Sequence, residues 1–404
     1  MNESQSFEEA LRIHAVEAGT PRLTLDDVRG RARSIRRRRA ALTTTGAAGV
    51  VLAAVVPIAL LVGGDRSTDS LPPADATPTV VDTANPVQPD PSPATEVSQA
   101  GSWLVGGQVH PADGEPFTPD VEGDVISFTG LTDGRWVFSG GPGGGASTIT
   151  VTDGTGAVLA AYDAQDTTLA TDDVTSAVSW IGPGGDPQVL LAGVEEPVAT
   201  GAELDTRLSP PVPLEILPGC SPEECYVLVE TYDRSPSGST RSAVGMDGSV
   251  QGLDRLGLSS IMDVSQDGAL VAGITSFDEF GQEYCWGVVS FATGEQLWDT
   301  CDAGNLRFSP DGRHVLGIDP LLDGPNHSFV QVLDARTGDP VGERVDGIVF
   351  DEAWTADGDY LAVLGNKRGQ SEIVRLDPDG AAPRREAGPA QGEYPAEPAY
   401  RLAR

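Results

Sequence analysis

The chain has 404 residues, 39% of them hydrophobic, with 49 Gly and 31 Pro. It is long enough to bury a sizeable core, and its Gly and Pro content is typical of turn-rich β proteins rather than helical ones. The formal net charge is −34, and because residues 1–39 hold nine Arg against six Asp and Glu, residues 40–404 carry a net charge of −37. Such an acidic body repels phosphate backbones, so no nucleic acid is expected as a partner.

Residues 1–39 are predicted to contain two short helices. Ser6-Phe-Glu-Glu9 has the pattern of a capping box, and Thr24-Leu-Asp-Asp27 opens a second helix that runs into a basic stretch. One interpretation is a docking tail for a cytoplasmic protein partner. The other is a topology signal beside the membrane that also contacts anionic lipid headgroups. The basic stretch ends in four consecutive arginines, Arg36, Arg37, Arg38 and Arg39.

Residues 40–64 form an uncharged, mostly apolar stretch of 25 residues, long enough to cross a bilayer as a helix. Pro57 is tolerated in such helices. A cleaved signal peptide is the alternative, but its apolar region is normally shorter and ends in small residues. We interpret 40–64 as an uncleaved signal anchor. The arginines before it and Asp65 after it predict a cytoplasmic N-terminus and an extracytoplasmic remainder, in a single-pass protein of the cell membrane.

Residues 65–100 are rich in Pro and Thr, as in Pro89-Asp-Pro-Ser-Pro93, and poor in bulky apolar side chains. Such a segment cannot bury enough surface to fold. It predicts a disordered linker between the membrane and the domain formed by residues 101–404.

A short turn motif recurs through residues 101–404, with its clearest copy at Ser309-Pro310-Asp311-Gly312. Pro presets the first corner of a turn, Asp bonds nearby backbone N–H groups, and Gly tolerates the exit conformation. Alternating apolar residues around each copy predict a tight turn between two antiparallel strands. Further copies are Asp133-Gly134, Asp267-Gly268 and Asp357-Gly358, and weaker ones are Pro183–Asp186 and Ser221–Glu224.

A second glycine turn lies about halfway between these motifs. A repeat of this length with four strands per unit is typical of a β-propeller blade, whose faces are buried only against its neighbours. Seven such glycine turns predict an all-β, seven-bladed propeller, although six or eight blades remain open. The glycines are Gly114, Gly156, Gly201, Gly248, Gly294, Gly338 and Gly380, at intervals of 42 to 47 residues.

Residues 101–404 resemble the WD-repeat-like propellers of the TolB-associated type. The resemblance is carried by the turns Phe308–Gly312 and Trp354–Gly358, and it implies the fold without an activity, since such propellers host binding, scaffolding and unrelated chemistries. Ring closure is expected through pairing of Trp103–His110 with Glu397–Leu402, which leaves no open sheet edge. The alternative is that 397–404 is a frayed tail.

The four cysteines are Cys220, Cys225, Cys285 and Cys301. Cys285 and Cys301 flank the turn at Gly294 symmetrically, so a hairpin folded there brings them opposite each other, at the separation a disulfide needs. Cys220 and Cys225 bracket the turn at Ser221–Glu224. We predict the bridges 220–225 and 285–301, in keeping with an oxidising compartment. A zinc site is the alternative, although no Cys-x-x-Cys pair supports it.

No sequence motif predicts catalysis. Gly-x-Ser-x-Gly, the phosphate-binding loop and His-Glu-x-x-His are all missing from the sequence. No cofactor is expected, although the Asp-Gly turns could hold Ca²⁺. The leading hypothesis is a non-enzymatic module that binds or senses a protein, a peptide or an envelope glycan outside the membrane and signals through residues 1–39. The alternative is an envelope hydrolase with its active site at the channel mouth.

Overall fold

A computed structural model of the chain describes residues 100–141, 147–172, 176–204, 210–221, 224–232, 239–277, 284–320, 327–366, 368–378, 383–392 and 398–403. The predicted cytoplasmic tail with Arg36 to Arg39, the predicted anchor 40–64 and almost all of the predicted linker 65–100 lie outside these residues. Within them, no helix has the length and apolar character needed to cross a membrane.

The described chain is all-β, as predicted, apart from one turn of 3-10 helix at Asp254–Leu256. Most of its strands form four antiparallel sheets of four strands, each built from consecutive strands. The first sheet contains β3 (Asp124–Gly130), β4 (Trp136–Gly141), β5 (Ser147–Thr152) and β6 (Val158–Ala164). The second contains β7 (Ala170–Thr171), β8 (Ala177–Ile181), β9 (Pro187–Leu191) and β10 (Val198–Ala199). The third contains β11 (Val212–Ile216), β12 (Tyr226–Tyr232), β13 (Ser239–Gly245) and β14 (Val250–Gly252), and the fourth contains β15 (Ser260–Val264), β16 (Leu270–Phe277), β17 (Tyr284–Ser290) and β18 (Gln296–Thr300).

The next seven strands form one continuous sheet because β22 is 15 residues long. Its first part pairs with β21 and its second part, from Ile348 to Trp354, pairs with β23. The strands are β19 (Gly304–Phe308), β20 (His314–Ile318), β21 (His327–Asp334), β22 (Pro340–Trp354), β23 (Tyr360–Gly365), β24 (Gln370–Leu376) and β25 (Arg384–Gln391).

A small sheet joins the two ends of the described chain. It contains β1 (Trp103–Val105), β2 (Gln108–His110) and β26 (Tyr400–Leu402), with β1 in the middle. Trp103 faces Leu402 and Val105 faces Tyr400 in the antiparallel register. The predicted pairing of Trp103–His110 with the C-terminal strand is therefore confirmed, and we refer to this sheet as the closing sheet.

The Asp-Gly motifs form the tight turns between the first two strands of their repeats. In the turn after β19, the N–H of Gly312 donates to the Ser309 carbonyl at 2.8 Å, and Gly312 has φ +66°. The Asp311 carboxylate accepts the N–H of Arg313 at 3.0 Å and the Ser309 hydroxyl at 2.6 Å. The same side-chain bonds recur at Asp267, where the donors are the N–H of Ala269 and the Ser265 hydroxyl.

The predicted positions of the turns are wrong for the second sheet. Pro183–Asp186 joins β8 to β9, the second and third strands, instead of forming the first turn of its repeat. Gly201 likewise lies beyond β10, and the last hairpin of this sheet turns at Gly193, with φ +78°. The reason is that the sequence between β7 and β8 contains no Asp-Gly pair, and the Asp172 carboxylate instead accepts the N–H of Ala177 at 3.0 Å. Gly380 lies outside the described residues.

Both predicted disulfides are confirmed. Cys220 and Cys225 are bonded across the connection between β11 and β12, and Cys285 of β17 is bonded to Cys301, just after β18. The bridged cysteines are 16 residues apart in the second disulfide and five residues apart in the first. By restricting the unfolded chain, the longer loop is expected to stabilise the fold by about 3 kcal/mol and the shorter one by about 2 kcal/mol.

Hydrophobic packing follows the sheets in chain order and returns to its start. Trp180 of the second sheet packs against Val137 and Ile149 of the first, and Leu306 of β19 packs with Trp286 of the fourth sheet. The closing sheet contributes to two clusters, one with the first sheet and one with β23 and β24. Each sheet therefore buries its faces against its two neighbours, as propeller blades do.

Two turn glycines provide a test of this packing. Gly294 and Gly358 both have positive φ, but a Cβ on Gly294 would lie 2.1 Å from the Arg255 carbonyl oxygen in the 3-10 turn between the third and fourth sheets, whereas a Cβ on Gly358 meets nothing within 4 Å. We expect Gly358→Ala to lower the free energy of unfolding by about 1–2 kcal/mol through backbone strain alone. Gly294→Ala should cost clearly more, because a backbone atom has to move. Urea unfolding of the two variants measures the difference. Equal losses of the free energy of unfolding would contradict the close approach of Gly294 to the Arg255 carbonyl oxygen.

Candidate functional site

The candidate site is a cavity where the edge strands of successive sheets meet. Strands β7, β11, β15, β19 and β26 each lie at one end of their sheet, and consecutive members from β7 to β19 contact one another. β26 contacts the second part of β22. These strand ends enclose a space that we call the axial cavity. Its lining includes Asp172, Glu215, Asp263, Arg307, Phe308, Glu352, Trp354 and Ala403.

Four carboxyl groups, each from a different sheet or strand, line the axial cavity. Asp172 follows β7, Glu215 lies on β11, Asp263 on β15 and Glu352 on β22. Asp172, Glu215 and Asp263 are only 1%, 6% and 3% exposed. Because a buried carboxylate is unfavourable without partners, each of these groups depends on the contacts around it.

Asp263 connects the fourth sheet to the seven-stranded sheet. Its carboxylate accepts the backbone N–H of Phe308 on β19 and that of Val264 at 3.0 Å. Burial raises the pKa of Asp263 to about 6, although the Arg307 guanidinium and these two N–H donors act in the opposite direction. Asp263 therefore titrates close to neutral pH, within the wall of the cavity.

Asp172 directly follows β7, between the first two strands of the second sheet. Burial raises the pKa of its carboxyl group, opposed by the hydroxyl of Ser176 and the N–H of Ala177, both of which donate to it. This local cap holds the carboxyl at the cavity wall.

Arg307 is the cation of the cavity wall. Its Nη1 lies 4.0 Å from Glu215 Oε2 and donates to the Met262 carbonyl at 3.3 Å. Its backbone carbonyl accepts the indole N–H of Trp354 at 3.0 Å, which ties β19 to β22. With one arginine among four carboxyl groups, the wall is acidic at neutral pH, so the cavity favours a positively charged group.

The volume of the axial cavity limits what can enter it. At about 110 Å³ it holds several water molecules or the end of one side chain. Small-molecule sites usually occupy roughly 300–1,000 Å³. The cavity is therefore suited to a side chain presented by a larger partner.

The predicted Asp and Gly turn residues do not line the axial cavity, although Pro310 of the Ser309–Gly312 turn does. Asp133, Asp267, Asp311 and Asp357 each bond within their own turns, and Asp133 also accepts the N–H of Gly193 in the second sheet at 2.6 Å. Among the described residues, no group of three or more His, Cys, Asp or Glu side chains is placed to hold a metal ion.

The residues that line the axial cavity were not predicted from the sequence. A signal was nevertheless present, because Asp263 and Arg307 each stand five residues before the turn glycines Gly268 and Gly312. That offset places both side chains on the edge strand, at the axial cavity.

Comparison with known proteins gives a likeness of fold only. No protein-family model matches the sequence, and no curated protein matches it. Among solved structures, the β-propeller domain of Myceliophteria thermophila Cps50 (Swd1) aligns at 10% identity and a TM-score of 0.45, over 67% of this chain and 88% of that one. TolB from Acinetobacter baumannii aligns at 14% and 0.41, over 61% and 63%. A puromycin hydrolase aligns at 14% and 0.46, over 73% of this chain and 50% of its own.

The four-stranded sheets resemble propeller blades. This conclusion rests on their topology and on their packing in sequence, since alignments at these TM-scores are too distant to support an activity.

The raised pKa of Asp263 predicts a pH dependence of stability. The folded chain binds the Asp263 proton more tightly than the unfolded chain, in which the pKa of an Asp is near 3.9. Proton binding therefore adds to the free energy of unfolding in full below about pH 4, and this stabilisation, at most about 3 kcal/mol, is lost as the pH rises through 6. We expect the fall in stability between pH 5 and 7 to be smaller in Asp263→Asn than in the parent, because the amide does not titrate.

Urea unfolding at several pH values measures this effect. Asp299→Asn, an exposed position in the same sheet, is the matched control and should leave the pH dependence unchanged. An unaltered slope between pH 5 and 7 in Asp263→Asn would show that the buried carboxyl does not carry the effect.

Proposed function

We propose that the chain is a binding module whose axial cavity receives a positively charged side chain of a protein or peptide partner. The observation that carries this proposal is the cavity itself, formed where separate sheets bring Glu215, Asp263 and Glu352 together around a space of about 110 Å³. The acidic body of the chain favours the approach of such a partner from a distance.

We further propose that the sheets form a seven-bladed propeller. Residues Pro340–Asp346 of β22 pair with β21 and residues Asp351–Trp354 pair with β23, while Val349 pairs with both, so β22 can supply one strand to each of two units of four strands. With the four regular sheets and the closing sheet, the total is seven. An isolated bridge between Val109 and Phe117 supplies a short fourth strand position in the closing sheet.

Binding to the cavity can be tested with a fluorescein-labelled tri-lysine peptide and the purified full-length protein. Glu215→Gln removes a carboxylate while retaining the side-chain shape, and we expect it to weaken binding about tenfold, in line with the loss of one close charge contact. Arg307→Gln should strengthen binding, because it removes the one positively charged side chain among the described residues that line the cavity. Fluorescence anisotropy at low and high salt measures both.

Glu295→Gln, at an exposed turn, is the matched control and should bind as the parent does. Equal weakening in the control, or equal affinity for a neutral tri-alanine peptide, would rule out the cavity as the site. Mass spectrometry of the recovered peptide separates binding from hydrolysis. Cleavage that is lost in Asp263→Asn would favour the hydrolase, since a carboxyl with a pKa near 6 suits general acid catalysis.

The location of the chain is part of the same proposal. The two disulfides are in keeping with an oxidising compartment, and residues 40–64 supply the anchor that would hold the propeller outside the membrane. Residues 1–39 would then remain in the cytoplasm, where they could dock a partner and pass on the occupancy of the propeller.

Labelling in intact cells tests this topology. A membrane-impermeant maleimide should modify Ser92→Cys and leave Ser6→Cys unmodified until the cells are opened. Labelling of both positions would contradict the proposed orientation, and a purified chain that lacks residues 1–64 would favour the cleaved signal peptide. Deletion of residues 2–35, which retains Arg36 to Arg39, should remove intracellular partners; if they are unchanged, the tail does not signal.

A further inference from the structure

Strand β6 forms an open edge of the first sheet. It is seven residues long, and it pairs with β5 on one side and with no described strand on the other. It contains no Pro and a single charged residue, Asp163, and from Ala160 to Ala164 it pairs with β5 without a register shift. Leu159 of β6 is 57% exposed, more than any other large hydrophobic side chain of the described residues.

The outer strands of other sheets are protected in the ways by which proteins prevent pairing at an edge. β10 and β14 have only two and three residues, and the pairing of β18 is interrupted by a register shift. β25 contains Pro389 and three charged residues, and its pairing has two register shifts. β6 has neither the Pro nor the short length, so its outward N–H and C=O groups can pair with a further strand.

A groove between the first and second sheets begins at this edge. Ala161, Tyr162 and Asp163 line it on β6. Because successive side chains of a strand point to opposite faces, a cavity bordered by three consecutive residues extends across the edge of the strand. The groove has a volume of about 490 Å³, against about 110 Å³ for the axial cavity.

The face of β6 that points to the second sheet is fixed by Tyr162, whose ring lies 5.7 Å from the ring of Trp180 on β8. A strand added beside β6 would direct every second side chain to this same face. Those side chains would enter the groove, while the backbone of the added strand pairs with β6. Main-chain pairing combined with sites for alternate side chains is the usual way in which a sheet edge binds an extended peptide.

The surroundings of the groove are acidic. Asp163 and Asp186 line it, and no basic side chain does so among the described residues. Glu196 is close by, since burial and the negative charge of Glu196 raise the pKa of Tyr162, with Arg135 acting in the opposite direction. The Arg135 guanidinium is already held by an ion pair in its own turn and by two carbonyls of the second sheet. The groove therefore favours Lys or Arg side chains.

The charge of the chain determines which strand fits this edge. A second copy would bring together two chains of net charge −34 and two acidic grooves, which repel each other. An extended segment with basic side chains at alternate positions matches both the open edge and the groove. We propose that β6 binds such a segment of a protein partner as a fifth strand of the first sheet. This site is separate from the axial cavity and does not rest on the proposed function.

The test uses the purified full-length protein and a fluorescein-labelled nonapeptide of alternating Lys and Val. Hydrogen exchange followed by mass spectrometry should show slower exchange of the Val158–Ala164 amides when the peptide is bound, because their outward N–H groups become hydrogen-bonded. Fluorescence anisotropy measures the affinity. The same peptide with N-methyl groups on its three central residues keeps its charge but loses donors on both strand edges, so it should bind at least about tenfold more weakly.

Ala161→Lys adds a charged side chain to the open edge and repels the basic peptide, so we expect it to abolish binding. Leu297→Lys is the matched control, because it adds the same charge at an exposed position of β18, the outer strand of the fourth sheet, and it should bind as the parent does. Asp163→Asn should weaken binding by about twofold to fivefold, as expected for one exposed charge contact. The parent melting temperature shows that each variant is folded.

The two binding proposals can fail independently. Ala161→Lys should leave tri-lysine binding unchanged, and Glu215→Gln should leave the exchange protection of β6 by the nonapeptide unchanged. Absence of nonapeptide binding, binding without protection of β6, or equal losses in Leu297→Lys would overturn the strand proposal. Light scattering should show a monomer for the parent. A dimer that Ala161→Lys dissociates would mean that a second copy occupies the edge, and it would overturn the proposal as well.

Discussion

The pairing of β1 with β26 is the constraint on which the rest of the structure depends. The two strands come from opposite ends of the described chain, and each reaches its place only when the sheets between them have packed in order. Leu402 also donates its N–H to Asp351 of β22 at 2.9 Å, which ties the closing sheet to its neighbour. Without this pairing, the first sheet and β24 would each expose an apolar face, and the chain would end in open strand edges.

The axial cavity is a consequence of that arrangement. Its wall uses residues on or next to β7, β11, β15, β19, β22 and β26, so no single sheet contains the site. The groups there are held by contacts between distant strands: Asp263 of the fourth sheet accepts from β19, and Trp354 of β22 donates to β19 within the seven-stranded sheet. Changes in the packing of the sheets should therefore alter the cavity.

Sequence periodicity predicted the strand pattern where local chemistry determines it. Asp-Gly turns require a carboxylate acceptor and a positive φ, and the turns at Asp311 and Asp267 show both. The disulfides were predictable because a hairpin places Cys285 opposite Cys301. The prediction for the second sheet was wrong because the sequence between β7 and β8 contains no glycine, whereas Gly184 and Gly185 follow β8. The axial cavity could not be located in the same way, because its residues come together only when distant strands converge.

The most direct measurement concerns the register of the closing sheet. Leu104 faces Arg401 across β1 and β26, at the separation that a disulfide spans. The double variant Leu104→Cys and Arg401→Cys should form an intramolecular bridge, detected by mass spectrometry of the non-reduced digest of the monomer, and should melt at a higher temperature than the double variant Leu104→Ser and Arg401→Ser, which keeps both native disulfides. Leu104→Cys with Ala399→Cys, displaced by two residues, should not. A bridge only between molecules, or equal bridging in the displaced pair, would contradict a chain closed by its own two ends.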